Sequence, residues 1–248
     1  TRGYEVRTLH SLAVTVLKER PDRLLIDEAL RVLDPAERDR IVRAETKRWI
    51  GENYEIWQAA VRSHAGESVV RRREKLRKWE RHTVDLMGQL ISHFKCRGLT
   101  VEKLEPLLPR LEKGSFLRWA IEVFRRYQWR LAALARQDFD DLILNALTLL
   151  QEDDGVRQRL RTRWPYIFED EAQDSNPLQE KMLLLLAGEE GNLIRIGDAN
   201  QAIMGTFTVA EPDLFRSFCR RADVTVRPLL CSSRSSRDII ELANLLVD

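Results

Sequence analysis

A chain of 248 residues, 44% hydrophobic and 32% charged, is long enough to bury one large core or two modest ones. Its longest apolar candidate, Met182 to Ala187, falls far short of the roughly 20 residues a membrane-spanning helix needs, and Thr-Arg-Gly-Tyr-Glu at the start lacks the apolar run of a secretory signal. Three widely spaced cysteines, Cys96, Cys219 and Cys231, make neither a disulfide framework nor a zinc pattern, and the four histidines show no paired ligand spacing. These features predict a cytoplasmic protein with no membrane partner.

The net charge of +2 conceals an asymmetry. Thr1 to Gln137 holds 29 Lys/Arg against 19 Asp/Glu, whereas Asp138 to Asp248 holds 12 against 20. A basic half beside an acidic half fits a polyanion-facing surface next to a region with other chemistry; it also fits two solvated surfaces that differ by chance. Charge alone does not decide.

In chain order, Val6 to Leu9 alternates as a short strand and Ser11 to Glu19 has helical spacing that Pro21 ends. From there to Gln137 the pattern is nearly all helical, with Asp34-Pro35-Ala36-Glu37 as a helix start. Trp49, Trp57, Trp79, Trp119 and Trp129 all lie in this block and read mostly as packing residues. Arg71-Arg72-Arg73 opens an eleven-residue run with seven basic residues and an interleaved Trp79, a helix that could follow phosphates or be balanced by Glu74 and Glu80. After Asp138 the texture changes. Short apolar strands are predicted at Tyr166–Phe168, Leu193–Ile196 and Val224–Leu230, with helices near Leu142–Leu150, Leu178–Ala187 and Ser236–Val247. Strands alternating with helices predict a parallel α/β sheet, so the helical block reads as an insertion into an α/β domain. The division is 1–20, 21–137 and 138–248.

The chemistry gathers at three strand ends. Asp170-Glu171 follows the first strand, where an open α/β sheet binds ligands; one carboxylate can hold Mg²⁺ while its neighbour activates a water. This makes Asp170 the metal carboxylate and Glu171 the base, against the plainer reading of an acidic helix cap. The second strand ends in Gly197-Asp198-Ala199-Asn200-Gln201, where Gly197 permits a tight turn and Gln201 carries an amide toward the strand ends. The third leads to Arg234 before a helix, placed to stabilise a transferring phosphoryl group.

These motifs resemble the UvrD/Rep family of superfamily 1 DNA helicases. Asp170 to Asp174 matches the family's Asp-Glu-x-Gln-Asp. Gly197, Asp198, Gln201 and Ile203 match Gly-Asp-x-x-Gln-x-Ile, and Arg234, Ser235, Ala243 and Asn244 match a later Arg-Ser motif. Thr8-Leu9-His10-Ser11 resembles Thr-Phe-His-Ser on the DNA side, and Asp138-Phe139-Asp140-Asp141-Leu142 the string that returns from the helical insertion. The resemblance implies an incomplete RecA-like domain with a large all-α insertion, part of a bacterial, nucleoid-associated motor using ATP and Mg²⁺ to move 3′ to 5′ on single-stranded DNA. It implies that Gln201 senses the γ-phosphate, Arg234 acts as an arginine finger, and Gln173 links the nucleotide and DNA sites; Thr8, His10 and Ser11 would face DNA.

Three departures accompany it. No Gly-x-x-x-x-Gly-Lys-Ser/Thr loop occurs, which predicts a central fragment with little ATPase of its own, or alternatively a non-catalytic DNA-binding scaffold. Met204 and Phe207 replace the usual Tyr and Arg; Phe207 either stacks on a base or packs into the sheet. Glu169 stands where an apolar residue is usual.

Overall fold

The computed structural model describes residues 3–24, 32–61, 67–189, 192–201, 211–229 and 234–247. Helix α1 (Leu9–Leu17) begins at Thr8, whose hydroxyl accepts from the Ser11 N–H. Val6 to Thr8 therefore forms no strand: the Thr8 cap turns the chain directly into a helix, which overrides a short alternation. A 3-10 turn at Pro21–Leu24 follows.

The helical block comprises α2 (Pro35–Glu52), α3 (Tyr54–Ala59), α4 (Val69–Cys96), α5 (Val101–Leu104) and α6 (Phe116–Ala133). Asp34 and Glu37 form a reciprocal capping box with Pro35 at the first helical position, as the sequence predicts. Leu33 donates to the Gln137 carbonyl at 2.8 Å, and Val32 bridges Gln137 in parallel, so the block's two ends meet.

The return helix α7 (Phe139–Glu152) is capped by Asp138 and Asp141 in a second reciprocal box. Helix α8 (Asp154–Arg163) leads to β1 (Ile167–Glu169). Helix α9 (Pro177–Ala187) then crosses to β2 (Leu193–Arg195), which pairs parallel with β1 in the register Ile167 with Leu193 and Glu169 with Arg195. Helices α10 (Pro212–Cys219) and α11 (Arg237–Val247) follow. The strand expected at Val224–Leu230 is absent over 224–229, and Leu230 lies outside the described residues. A β-branched run becomes a strand only when a neighbour satisfies its backbone, and this run pairs with neither β1 nor β2.

Apolar burial falls into two clusters. One gathers α2, α4 and α6 around Trp49, Met87, Trp119 and Phe124. The other gathers α1, α7 and α9 around Val16, Leu142, Leu150 and Met182. Trp49, Trp57 and Trp119 are buried as packing residues, while Trp129 is 64% exposed with Arg125 stacked at 5.1 Å.

A buried polar node joins the clusters. Lys95 of α4 donates to Asp138 at 2.6 Å and Asp141 at 2.7 Å, and the Tyr127 hydroxyl of α6 donates to Asp138 at 2.6 Å. Burial alone would raise the Asp138 carboxyl, but the Lys95 ammonium and the bonds from Lys95 and Tyr127 outweigh it and hold it below the usual range. Asp141 is instead raised, because burial and the Asp138 charge prevail over Lys95.

Removing the cation leaves two buried carboxylates unpaired. Lys95→Met is expected to cost about 3–5 kcal/mol in urea unfolding at neutral pH, and less in acid, where those carboxylates protonate. Neighbouring Asp140 is raised as Asp141 is: burial, then the Asp138 charge, push it from 3.8 up to about 6. The folded state thus holds that proton more tightly than the unfolded chain, and the group's contribution to stability falls as pH rises from 3.8 through about 6. Asp140→Asn should therefore add about 1–2 kcal/mol at pH 7, with the gain vanishing below pH 4; a pH series of unfolding midpoints checks it.

Candidate nucleotide site at the strand ends

The two parallel strands end side by side, and their carboxyl ends carry both motifs. The Ile196 N–H donates to the Glu169 carbonyl at 2.8 Å, and the Ala172 N–H donates back to the Ile196 carbonyl at 2.9 Å. That exchange carries the pairing past the formal strand ends and sets Asp170-Glu171 beside Gly197-Asp198. Asp170 and Glu171 are both exposed.

Glu171 adopts a left-handed backbone, φ 53° and ψ 42°, uncommon for a residue with a side chain. The Asp170 carboxylate accepts from the Glu171 N–H at 3.0 Å, and a 3-10 turn, Ala172–Asp174, follows. The plainer reading of Asp170-Glu171 as a helix cap fails here, because Asn176 caps the next helix with Gln179 and Pro177.

Gln173 is only 2% exposed. Its Nε2 donates to the Glu171 carboxylate at 2.7 Å and its Oε1 accepts from the Asp198 N–H at 3.1 Å. Gly197 makes room for this: a Cβ there would lie 2.5 Å from Gln173 Oε1 and 3.1 Å from the Ala172 nitrogen. Asp198 turns the chain by accepting from the Asn200 N–H at 2.9 Å, and its other oxygen accepts from Gln201 Nε2 at 3.0 Å. Gln201 is exposed.

Glu169 is explained by its cross-strand neighbour. Its carboxylate accepts from Ser175 Oγ and from Arg195 Nε, and Arg195 also pairs with Glu180 of α9. The Arg195 side chain is fully buried, with the Phe218 ring of α10 4.9 Å from its guanidinium. The ion pair occupies the position where an apolar pair would otherwise pack, and it seats α10 against the turn that carries Gln173. Sequence reasoning passed over Arg195 and Ser175; only the strand register shows that Arg195 faces Glu169.

Other predicted residues lie apart. Ser11 and His10 are half-buried on α1, and the His10 ring meets Phe139 edge-on at 4.9 Å, which brings the Thr8–Ser11 and Asp138–Leu142 strings together; burial lowers the His10 pKa. Arg234 is exposed just before α11, with no hydrogen bond to Asp170 or Glu171 among the described residues. Phe207 lies outside the described residues. Arg71, Arg72 and Arg73 are exposed in the first turns of α4, with no acidic residue in the first turn. Glu80, one of the two expected counter-charges, pairs instead with Lys47 of α2 at 2.7 Å.

The residues fit Mg²⁺ in one way. Among the described residues no group of three or more His, Cys, Asp or Glu could form a metal cage. One or two carboxylates completed by nucleotide phosphates and water is the usual Mg²⁺ arrangement, and exposed Asp170 and Glu171 can supply that share.

A profile of the UvrD/REP helicase N-terminal domain matches residues 1–223. The chain belongs to that family. Among individual relatives, the ATP-dependent DNA helicase UvrD2 of Mycobacterium tuberculosis is 36% identical over 111 residues, 44% of this chain and 16% of that protein. The ATP-dependent DNA helicase PcrA of Staphylococcus epidermidis is 26% identical over 199 residues, 80% of this chain and 23% of that protein. The RecBCD enzyme subunit RecB of Mycobacterium tuberculosis is 39% identical over 90 residues, 36% of this chain and 8% of that protein. The chain thus spans less than a quarter of the length of these relatives. Among the described residues no helix is long and apolar enough to cross a membrane.

Gly197→Ala is expected to cost about 1–3 kcal/mol by overpacking, since a backbone atom as well as the Gln173 amide blocks the new methyl. Gly51→Ala, where nothing lies within 4 Å, is the control and should be neutral or slightly stabilising in its helix. Equal thermal midpoints for the two variants would contradict the close approach at Gly197.

Proposed function

We propose that this chain is the central part of an ATP-dependent DNA helicase or translocase moving 3′ to 5′ on single-stranded DNA in repair or replication. In this reading residues 1–20 and 138–248 belong to a RecA-like ATPase domain and 21–137 are its helical insertion. The observation that carries the reading is the hydrogen-bonded union of Asp170–Asp174 with Gly197–Gln201 at the carboxyl ends of two parallel strands. The two apolar clusters and the meeting of Leu33 with Gln137 support the division.

Asp170 would hold Mg²⁺, which when bound supplies positive charge to the nucleotide phosphates. Glu171, exposed next to it, accepts the proton of an attacking water. Gln201, bonded to Asp198 on the adjacent turn, would exchange that bond for one to the γ-phosphate, and Arg234 would stabilise charge on the transferring group. Gln173 connects the two motifs. Thr8, His10, Ser11 and Phe207 would contact the DNA strand. Hydrolysis also needs the phosphate loop that these 248 residues do not contain. The protein would then be soluble and associated with the bacterial nucleoid.

The amino-terminal end of α4 is a second contact with DNA. Arg71, Arg72 and Arg73 sit at the positive pole of the helix dipole, where cations are disfavoured. A polyanion laid across them would offset that cost. The triple variant Arg71→Ala/Arg72→Ala/Arg73→Ala should weaken oligo(dT) binding and flatten its salt dependence by about 0.7 log units per lost phosphate contact. An unchanged salt slope removes this surface from the DNA path.

For the site, Asp170→Ala and Glu171→Gln in the full-length protein should each lower DNA-stimulated ATP hydrolysis by at least about 100-fold with DNA binding retained. The 248-residue chain alone should show no helicase-like turnover. Hydrolysis that survives both substitutions overturns the assignment; DNA binding without hydrolysis in the unsubstituted full-length protein favours a non-catalytic module.

A further inference from the structure

We infer that Trp129 is a stacking platform on which the helical block holds a base of single-stranded nucleic acid, an inference that rests on the reading of this chain as part of a DNA-binding motor. It adds a contact made with a base to those made with phosphates. Trp49, Trp57 and Trp119 are buried in the core of the block, whereas Trp129 is 64% exposed near the end of α6. A single exposed apolar side chain needs no explanation by itself. What surrounds this one gives it a use.

Arg125 backs the ring. A long side chain on a helix leans over the turn before it, and there the Arg125 guanidinium lies 5.1 Å from the Trp129 ring centre. Glu105 accepts from Arg125 at 2.8 Å and holds this backing in place. Three and four residues further on are Ala132 and Ala133, both exposed and too short to cover an indole. A base laid on the free face completes a three-layer stack in which the cation adds to the attraction between the rings.

The surrounding charge selects a polyanion. From Arg125 to Arg136 the sequence holds four arginines and no acid. Arg125 and Arg126 pair with Glu105 and Glu52, while Arg130 and Arg136 enter no ion pair among the described residues. The negative pole of α6 accounts for cations at this end, but not for an aromatic ring set among them. An acidic protein surface would satisfy the arginines without supplying a planar ring; a single strand brings phosphates and bases together. The location also fits. Helices α4 and α6 run parallel, with Trp79 beside Phe116 and Phe94 beside Phe124, so Trp129 lies at the far end of the block from Arg71–Arg73. Its neighbour Gln128 donates to Asp141 of α7, the helix whose Phe139 meets His10 in the Thr8–Ser11 segment.

The test is oligo(dT) binding by the 248-residue chain, followed by tryptophan fluorescence and by anisotropy of a labelled oligonucleotide. Oligo(dT) should quench the fluorescence. In Trp129→Phe most of that quench should vanish while affinity stays within about threefold, since phenylalanine still stacks. Trp129→Ala should weaken binding about 5- to 150-fold with an unchanged salt slope, because no phosphate contact is lost. An oligomer of equal length built from abasic sites should bind both the unsubstituted and the Trp129→Ala chains alike. Undiminished oligo(dT) affinity in Trp129→Ala, or an equal loss on the abasic oligomer, overturns the inference. So does a polyglutamate peptide that quenches Trp129 as strongly as oligo(dT), which marks a protein-docking surface instead. If the unsubstituted chain binds neither oligomer, the DNA-binding reading of this chain falls as well; binding that ignores Trp129 removes the platform alone.

Discussion

An ammonium group with no access to water is costly unless several partners surround it. Lys95 meets that condition with Asp138 and Asp141, while Tyr127 donates a further bond to Asp138. The four side chains come from α4, α6 and the first turn of α7, including its cap. Asp138 therefore serves twice: it starts α7 and it neutralises a cation from the other cluster. The strand ends depend on this node at one remove. Helix α7 is the floor on which α1 and α9 pack, and α9 joins the two strands that present the motifs. Were α7 displaced, the crossing from β1 to β2 would lose its support.

Charge is used differently at the strand ends. The Glu169 and Arg195 pair is buried among Ser175, Glu180 and Phe218, and it fixes which residues of β1 and β2 face each other. One residue further along, Asp170 and Glu171 are in solvent. A buried, fully engaged carboxylate next to exposed ones separates a structural task from a chemical one within three consecutive residues. The α4 arginines follow a third pattern, exposed and on the unfavourable pole of their helix.

Much of this could be read from the sequence, and what could not has identifiable causes. The cap at Asp34, the crossing helix at Pro177–Ala187 and strands β1 and β2 follow from local patterns, because caps and short apolar runs act within a few residues. The sequence places Asp170, Glu171, Gln173 and Gln201 near strand ends, and their grouping needed only a parallel pairing. The strands expected at Val6–Leu9 and, over its described residues 224–229, at Val224–Leu230 are absent because alternation predicts a strand only when another strand can pair with it. Glu169 was unreadable for the same reason: its partner, Arg195, is a register neighbour from beyond a crossing helix. Trp129 looked like the other tryptophans of the helical block, and only the packing of α6 shows that it faces outward.

Helix α1 packs chiefly against α7, with the whole helical block between them in the chain. On a ribosome, α1 emerges long before its partner. It must wait, its apolar face uncovered, while α2 to α6 are made and close on one another through contacts of shorter reach. The chain would then mature in two stages. In that order the helical block, by bringing Leu33 to Gln137, would return the start of α7 toward α1. What joins the two cores in space also sets the order in which they can form in time.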